Sequence, residues 1–381
     1  MLLIGSGLLV RSFQALRQVD PGYDTRDVFT FQFAPEQEAL NDGPSWARFH
    51  LAFLDRLAAL PGVTSVGLVE NVPLNEGTRD ERFRSEEMAA DPDAGTLLNF
   101  TWAAGDYFQT MGIDVLAGRP FDAADQLSAQ PHVVISRSTA EKLWPKQSAL
   151  GRRLQRWDET TWDATWFTVV GVVEDVKQDG FRDSAQPLIY YPLVGPTPTS
   201  WAMSSPAYVV KTARAEVIAP EIRELVRAVA PEAPMYRTFT MAGLAADSMA
   251  QLSFTMLTLG VLSTLALLLG ALGLYGVLSY AVALRTREIG VRLALGATVA
   301  NVRRLIVGQG VRVVGLGLLL GLAAAFASSK VVASLLFGVA ALDPATFGGM
   351  SLLMAAVGIF ASFIPARRAS NVDPVESLRD R

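Results

Sequence analysis

The sequence predicts an α+β extracytoplasmic domain of two subdomains joined to an α-helical transmembrane domain. Three observations predict it. Half of the 381 residues are hydrophobic and only 18% are charged, against about 25% in soluble domains. Three long uncharged or nearly uncharged runs are confined to the last third of the chain. The first two thirds alternate short strand-patterned and helix-patterned segments. Charge divides at the same place. From Ser248 onward there are 11 basic residues against five acidic ones, a net of +6. The first 247 residues carry 22 basic and 32 acidic groups, a net of −10. The two parts are therefore read as facing different surroundings.

Within residues 28–247, Val28 to Ala34 alternates apolar and polar side chains as a half-buried strand does. Ser45 is positioned to cap a helix running to about Leu60, with Trp46, Phe49, Phe53, Leu54 and Leu57 on one face. Pro61-Gly62 ends it. Val63 to Val69, Val133 to Ser136, Phe167 to Val173, Leu188 to Tyr191 and Tyr208 to Lys211 read as strands, and Ser138 to Leu143 and Pro220 to Val229 as helices. Pro196, Pro198 and Pro206 mark a loop. Glu86, Glu87, Asp91 and Asp93 beside Arg79, Arg82 and Arg84 read as a solvated loop.

The membrane reading rests on length. A helix needs about 20 residues to cross the ~30 Å hydrocarbon layer. No charge occurs between Asp247 and Arg285, a stretch of 37 residues whose first part is more polar and is expected to project beyond the lipid. The other two runs are Val313 to Phe337, interrupted by Lys330, and Pro344 to Ala366. Transmembrane helices are expected at about 254–284, 313–337 and 346–365, within a domain spanning 248–366. Arg285 to Arg312 holds six arginines and one acid, whereas Gly338 to Thr346 holds no Lys or Arg. Positive charge stays inside. Loop 285–312 and tail 367–381 are therefore expected in the cytoplasm and the acidic domain outside. Residues 1–27 read as the outer end of a further helix, with its beginning missing, plus a linker. The alternative for Met1 to Val10 is a short interfacial anchor. Gly270 and Gly273 on the first span, and the GxxxG pair Gly317 and Gly321 on the second, are expected to pack helices, either within the chain or at a dimer seam.

The sequence carries little chemistry. The absence of cysteine excludes disulfides, cysteine-based zinc sites and a catalytic thiol. No GxxxxGK[ST], GxSxG or HExxH motif is present. His50 and His132 stand apart, without ligand spacing, and are assigned surface or packing roles. The acidic balance of the large domain argues against nucleic acid.

Several segments together carry a resemblance. Gly105 to Asp125 (GDYFQTMGIDVLAGRPFDAAD), His132 to Leu154 and Val169 to Leu193 resemble MacB-type periplasmic domains. Arg285 to Thr298 (RTREIGVRLALGAT) and the ending Asp373-Pro374-Val375-Glu376-Ser377-Leu378 resemble FtsX/MacB-like ABC transporter permeases. The stretch Leu2 to Phe31 (LLIGSGLLVRSFQALRQVDPGYDTRDVFTF) resembles the middle of duplicated acidobacterial-type permeases, which implies correspondence to the C-terminal half of such a protein. The resemblance implies a multi-pass permease subunit of the inner membrane that works by mechanotransmission. ATP and magnesium would sit on a separate ABC ATPase, with no catalytic residue, metal or cofactor on this chain. Arg287, Glu288, Gly290, Arg292, Leu295 and Gly296 would form the ATPase-coupling element. The charged residues suit pairing with a protein surface, Leu295 suits an apolar contact, and the glycines permit close approach. The alternative for this segment is an anchor touching lipid headgroups only. Expected partners are the ATPase, the lipid bilayer, a second permease copy or half, and a periplasmic adaptor. An FtsX-like signalling anchor that regulates an envelope enzyme is the alternative function, and a membrane-tethered hydrolase the third.

Overall fold

In the computed structural model the described residues are 1–35, 43–75, 77–88, 95–127, 131–157, 165–193, 205–284, 298–333 and 336–370. The chain divides into two compact units. Val19–Ala250 form an α+β unit, and Met1–Gln18 with Gln251–Arg381 form a helical unit.

The α+β unit begins with β1 (Val28–Gln32), whose side chains are buried throughout. Helix α2 (Gly43–Ala58) starts two residues before the expected cap, since Pro44 suits a first helical turn. It stops before Gly62, whose φ of +81° only glycine adopts freely. The strands β2 (Val63–Val69), β10 (Ala207–Thr212) and β11 (Tyr236–Thr240) join β1 in an antiparallel sheet of order β11-β1-β10-β2, which continues into β4 (Thr96–Gly105). Helices α2 and α3 (Tyr107–Met111) pack on β2, and α6 (Ala219–Val229) packs on α2.

The ten residues of β4 serve two sheets. Beyond β2, β4 pairs with β3 (Arg79–Ser85) and, in parallel, with β9 (Leu188–Tyr191). From β3 the pairing runs through β7 (Arg153–Trp157), β8 (Trp166–Val173) and β6 (His132–Ser136) back to β9. Six strands thus close into a ring, and closure removes free edges. Phe83, Phe100, Leu154, Phe167, Ile189 and Tyr191 are buried in its core. Each such side chain contributes about 1.5–3 kcal/mol by leaving water. Strand β5 (Val115–Gly118) adds to the far end of β8, and α4 (Ala123–Leu127) and α5 (Arg137–Leu143) complete the unit. Ser136 caps α5 by accepting from the Thr139 amide at 3.4 Å.

The solvated loop expected around Arg79, Arg82 and Arg84 is instead β3, followed by a 3-10 turn at Glu86–Met88. Alternation explains it. Phe83 and Ser85 are buried while Arg82 is exposed, and the charges satisfy one another across strands, as in Arg156–Glu81 at 3.0 Å and Arg153–Glu86. Asp91 and Asp93 lie outside the described residues.

The helical unit contains α1 (Leu2–Arg17), most of α7 (Met241–Leu284), α8 (Val299–Ala333) and α9 (Pro344–Ser370). Helix α7 is continuous over 44 residues, about 66 Å at 1.5 Å per residue. Its first turns, with Met241 and Leu244 buried, belong to the core of the α+β unit. Among the described residues three segments are long and apolar enough to cross a membrane: Ser253–Leu284, Arg304–Ser329 and Pro344–Pro365. Residues 299–312, expected to belong to a loop, are helical. Thr298 opens this helix by accepting from the Asn301 amide at 3.4 Å, and no proline interrupts it.

Candidate functional site

The sequence points to two sets of functional residues, both in the helical unit. Arg287, Glu288, Gly290, Arg292, Leu295 and Gly296 lie in 285–297, outside the described residues. The second set is described. A Cβ added to Gly270, Gly273 or Gly317 meets nothing within 4 Å, and at Gly321 it meets only the Met1 nitrogen at 3.7 Å. Among the described residues Gly270, Gly273 and Gly317 face open space.

Close helix packing uses other glycines. A Cβ on Gly310 of α8 would run into the Ser362 hydroxyl of α9, with Leu278 of α7 at 3.2 Å. A Cβ on Gly358 of α9 would lie 2.5 Å from Val314 of α8. Ser362 is fully buried and its hydroxyl donates to the Gly358 carbonyl at 2.7 Å. Leu278 and Ile306 are buried as well. The α8–α9 crossing is thus tight because small residues meet there. Elsewhere the helices keep their apolar faces outward. Leu269, Leu272 and Val277 on α7, Leu319 and Leu320 on α8, and Phe360 on α9 are 65–74% exposed. Such faces suit lipid or further protein.

The other end of the unit holds polar contacts that the sequence reading did not pick out. Arg11 of α1 forms an ion pair with Asp343. The same carboxylate accepts from the Thr346 amide at 2.8 Å and the Thr346 hydroxyl at 2.5 Å, which caps α9. The buried Ser12 hydroxyl accepts from the Phe337 amide at 2.7 Å. Ile4 and Leu8 of α1 pack with Ala325, Leu322 and Phe347. One signal was available: Asp343-Pro344 with Thr346 is a helix-start pattern, and it leaves a carboxylate fixed where a cation can meet it.

Among the described residues no group of three or more His, Asp and Glu could hold a metal ion. The two histidines of the α+β unit are structural. His132 hydrogen-bonds the buried Asp125 at 2.6 Å, and Arg119 reaches the same carboxylate at 2.5 Å. Burial alone would raise the Asp125 carboxyl, but hydrogen bonds from Arg119, the Asp122 amide and His132 outweigh it and hold it at about 2. His50 is fully buried against Trp46, Phe49 and Tyr208, with its Nδ1 hydrogen-bonded to the Tyr208 hydroxyl. Burial pushes its imidazole down to about 3.

Comparison with known proteins places these units. Residues 1–229 match the MacB-like periplasmic core domain and residues 260–374 the FtsX-like permease C-terminal region. The macrolide export ATP-binding/permease protein MacB of Marinobacter nauticus is 26% identical over 321 residues, which cover 82% of this chain and 47% of the relative. The uncharacterized ABC transporter permease YknZ of Bacillus subtilis is 22% identical over 349 residues, covering 91% of this chain and 84% of that protein. The chain spans about half the length of the MacB relatives it matches. Among solved structures, the periplasmic region of MacB from Actinobacillus actinomycetemcomitans aligns with a TM-score of 0.40 at 15% identity, over 60% of this chain and 95% of that one.

Proposed function

Since the chain belongs to the MacB/FtsX-type family of ABC transporter permeases, we propose that it is a permease subunit coupling ATP hydrolysis by a separate ATPase to movement of its α+β domain and export of a substrate. The observation that carries this reading is the pairing, on one chain and in family order, of the two matched regions with three helices able to span a bilayer. In this reading the arginine-rich segment 285–312 faces the cytoplasm and the α+β unit faces the other side of the inner membrane, following the distribution of Lys and Arg. The ATPase docks against Arg287, Glu288, Gly290, Arg292, Leu295 and Gly296. Their mixture of charge, apolar side chains and glycine suits a protein partner better than lipid headgroups alone. A second permease copy or half meets the rows at Gly270, Gly273, Gly317 and Gly321, and an adaptor meets the α+β domain. ATP and magnesium remain on the ATPase.

Helix α7 is suited to transmission, because one unbroken backbone runs from a turn buried in the α+β core into a span. The test is charge reversal at Glu288 or Arg292 in membrane vesicles carrying the permease and its ATPase. The expected result is loss of permease-stimulated ATP hydrolysis with normal membrane insertion. Unchanged stimulation would remove the coupling role. ATP-dependent movement of the domain without substrate export would favour the signalling anchor.

A further inference from the structure

Of the helices among the described residues of the helical unit, α1 and α7 continue by chain into the α+β unit, whereas α8 and α9 are joined to each other. If an ATPase acts at the segment between α7 and α8, contacts with α1 or α7 are the routes within the helical unit by which displacement of the α8–α9 pair can be passed toward the domain. We propose that Arg11, Ser12, Asp343 and Thr346 form a latch that makes α1 and the α8–α9 turn one moving element, so that motion of α8 and α9 is delivered to the α+β domain through α1. This rests on the permease reading above.

The geometry supports a latch rather than a chance surface pair. An isolated exposed ion pair contributes little because two flexible side chains must be ordered. Here the Asp343 carboxylate is already fixed by two hydrogen bonds from Thr346, and its side chain is only 15% exposed. The Thr346 hydroxyl and amide, followed by Arg11, hold its carboxyl below the usual range, so it stays charged. A second bond, from the Phe337 amide to Ser12, grips the other end of the turn. Backbone proximity extends the contact along α1. A Cβ on Gly7 would lie 2.7 Å from Met350 and 2.9 Å from Thr346, and the position of a Cβ on Gly338 lies 3.3 Å from that of Ala15. The α1–α7 side shows a looser hold, a hydrogen bond from the Ser263 hydroxyl to the Leu2 carbonyl at 3.1 Å.

The chain lacks cysteine, so paired spin labels can be placed without background. Labels at Ala15→Cys and Ala340→Cys report the latch, and labels at Ser253→Cys and Ala340→Cys report motion of the turn relative to α7. Both pairs are measured in full-length permease with its ATPase in vesicles, with and without ATP. The expected result is an ATP-dependent change in the 253–340 distance and a constant 15–340 distance. In Arg11→Gln or Asp343→Asn the 15–340 distance should broaden and change with ATP. Asp343→Asn keeps a side chain able to cap α9, so loss of the charge is separated from loss of the helix start, and Arg11→Lys should restore the constant distance. If the 253–340 distance changes while the 15–340 distance also changes in the wild type, the latch is wrong and the permease reading stands. If both variants keep the 15–340 distance constant, these residues are not what joins the helices. If ATP moves neither pair, the permease reading falls and the latch proposal with it.

Discussion

Acidification should destabilise the α+β unit through His50. The imidazole is fully buried among aromatic rings, and burial holds it at about 3, against about 6.5 in an unfolded chain. Above pH 6.5 it is neutral in both states and costs nothing. As pH falls below 6.5 the unfolded chain takes up a proton that the folded chain refuses, so stability is lost until pH approaches 3. The slope is about 1.4 kcal/mol per pH unit, so moving from pH 6.5 to 5.0 costs about 2 kcal/mol. Asp24 and Asp125, held at about 2, titrate below this window even in the unfolded chain, near 3.9. Guanidinium unfolding of the full-length protein in detergent measures the effect. All seven tryptophans, from Trp46 to Trp201, lie in the α+β unit, so their fluorescence reports that unit alone. His50→Asn places an acceptor near Nδ1 for the Tyr208 hydroxyl and removes the titration. Its stability should be flatter between pH 6.5 and 5.0 by about 2 kcal/mol. Equal slopes in wild type and variant would refute the argument that burial keeps this histidine neutral.

Two further predictions concern packing. The hydroxyls of Tyr107 and Tyr190 are buried without a hydrogen-bond partner among the described residues. Tyr107→Phe and Tyr190→Phe should therefore be neutral or stabilising in the same fluorescence assay, and a loss above about 1 kcal/mol would mean that the hydroxyls are paired. Gly310→Val should overpack the α8–α9 crossing at Ser362 and cost about 1–3 kcal/mol, read as a lower melting temperature of the purified protein in detergent. Gly270→Val, facing open space within the chain, should leave that temperature unchanged; equal losses at the two positions would contradict the packing described.

The apolar runs, the α2 face and the buried strands were legible because each rests on a local pattern. Trp46, Phe53, Leu54 and Leu57 repeat at helical spacing, and all four are buried. The ring of six strands was not legible, because its closure depends on pairing Asn99–Trp102 with Leu188–Tyr191, about 90 residues apart, and no local pattern encodes that partner. Strand β3 was hidden for another reason. Of Arg79–Ser85 only Phe83 is apolar, and long arginine stems can cover a sheet while their heads stay in water. Of the sites, the open glycines were legible as small residues but not as open, since spacing alone does not say which rows the chain uses itself. The Arg11–Asp343 pair links residues at opposite ends of the sequence, and no local pattern encodes that partner.

Open and occupied glycines together constrain how the helical unit is completed. Lipid does not drive helices together through the hydrophobic effect, so close association needs small residues that let backbones approach. This chain spends Gly310 and Gly358 on its own α8–α9 crossing and Gly7 on the contact of α1 with Thr346 and Met350. Among the described residues Gly270, Gly273 and Gly317 have no such neighbour, yet they sit beside leucines and valines that are more than half exposed. A lipid-facing surface has no need of glycine, and glycine inside a helix costs about 1 kcal/mol relative to alanine. That cost is offset where another backbone comes close. In the proposed function a second permease copy or half is the surface that these rows would meet.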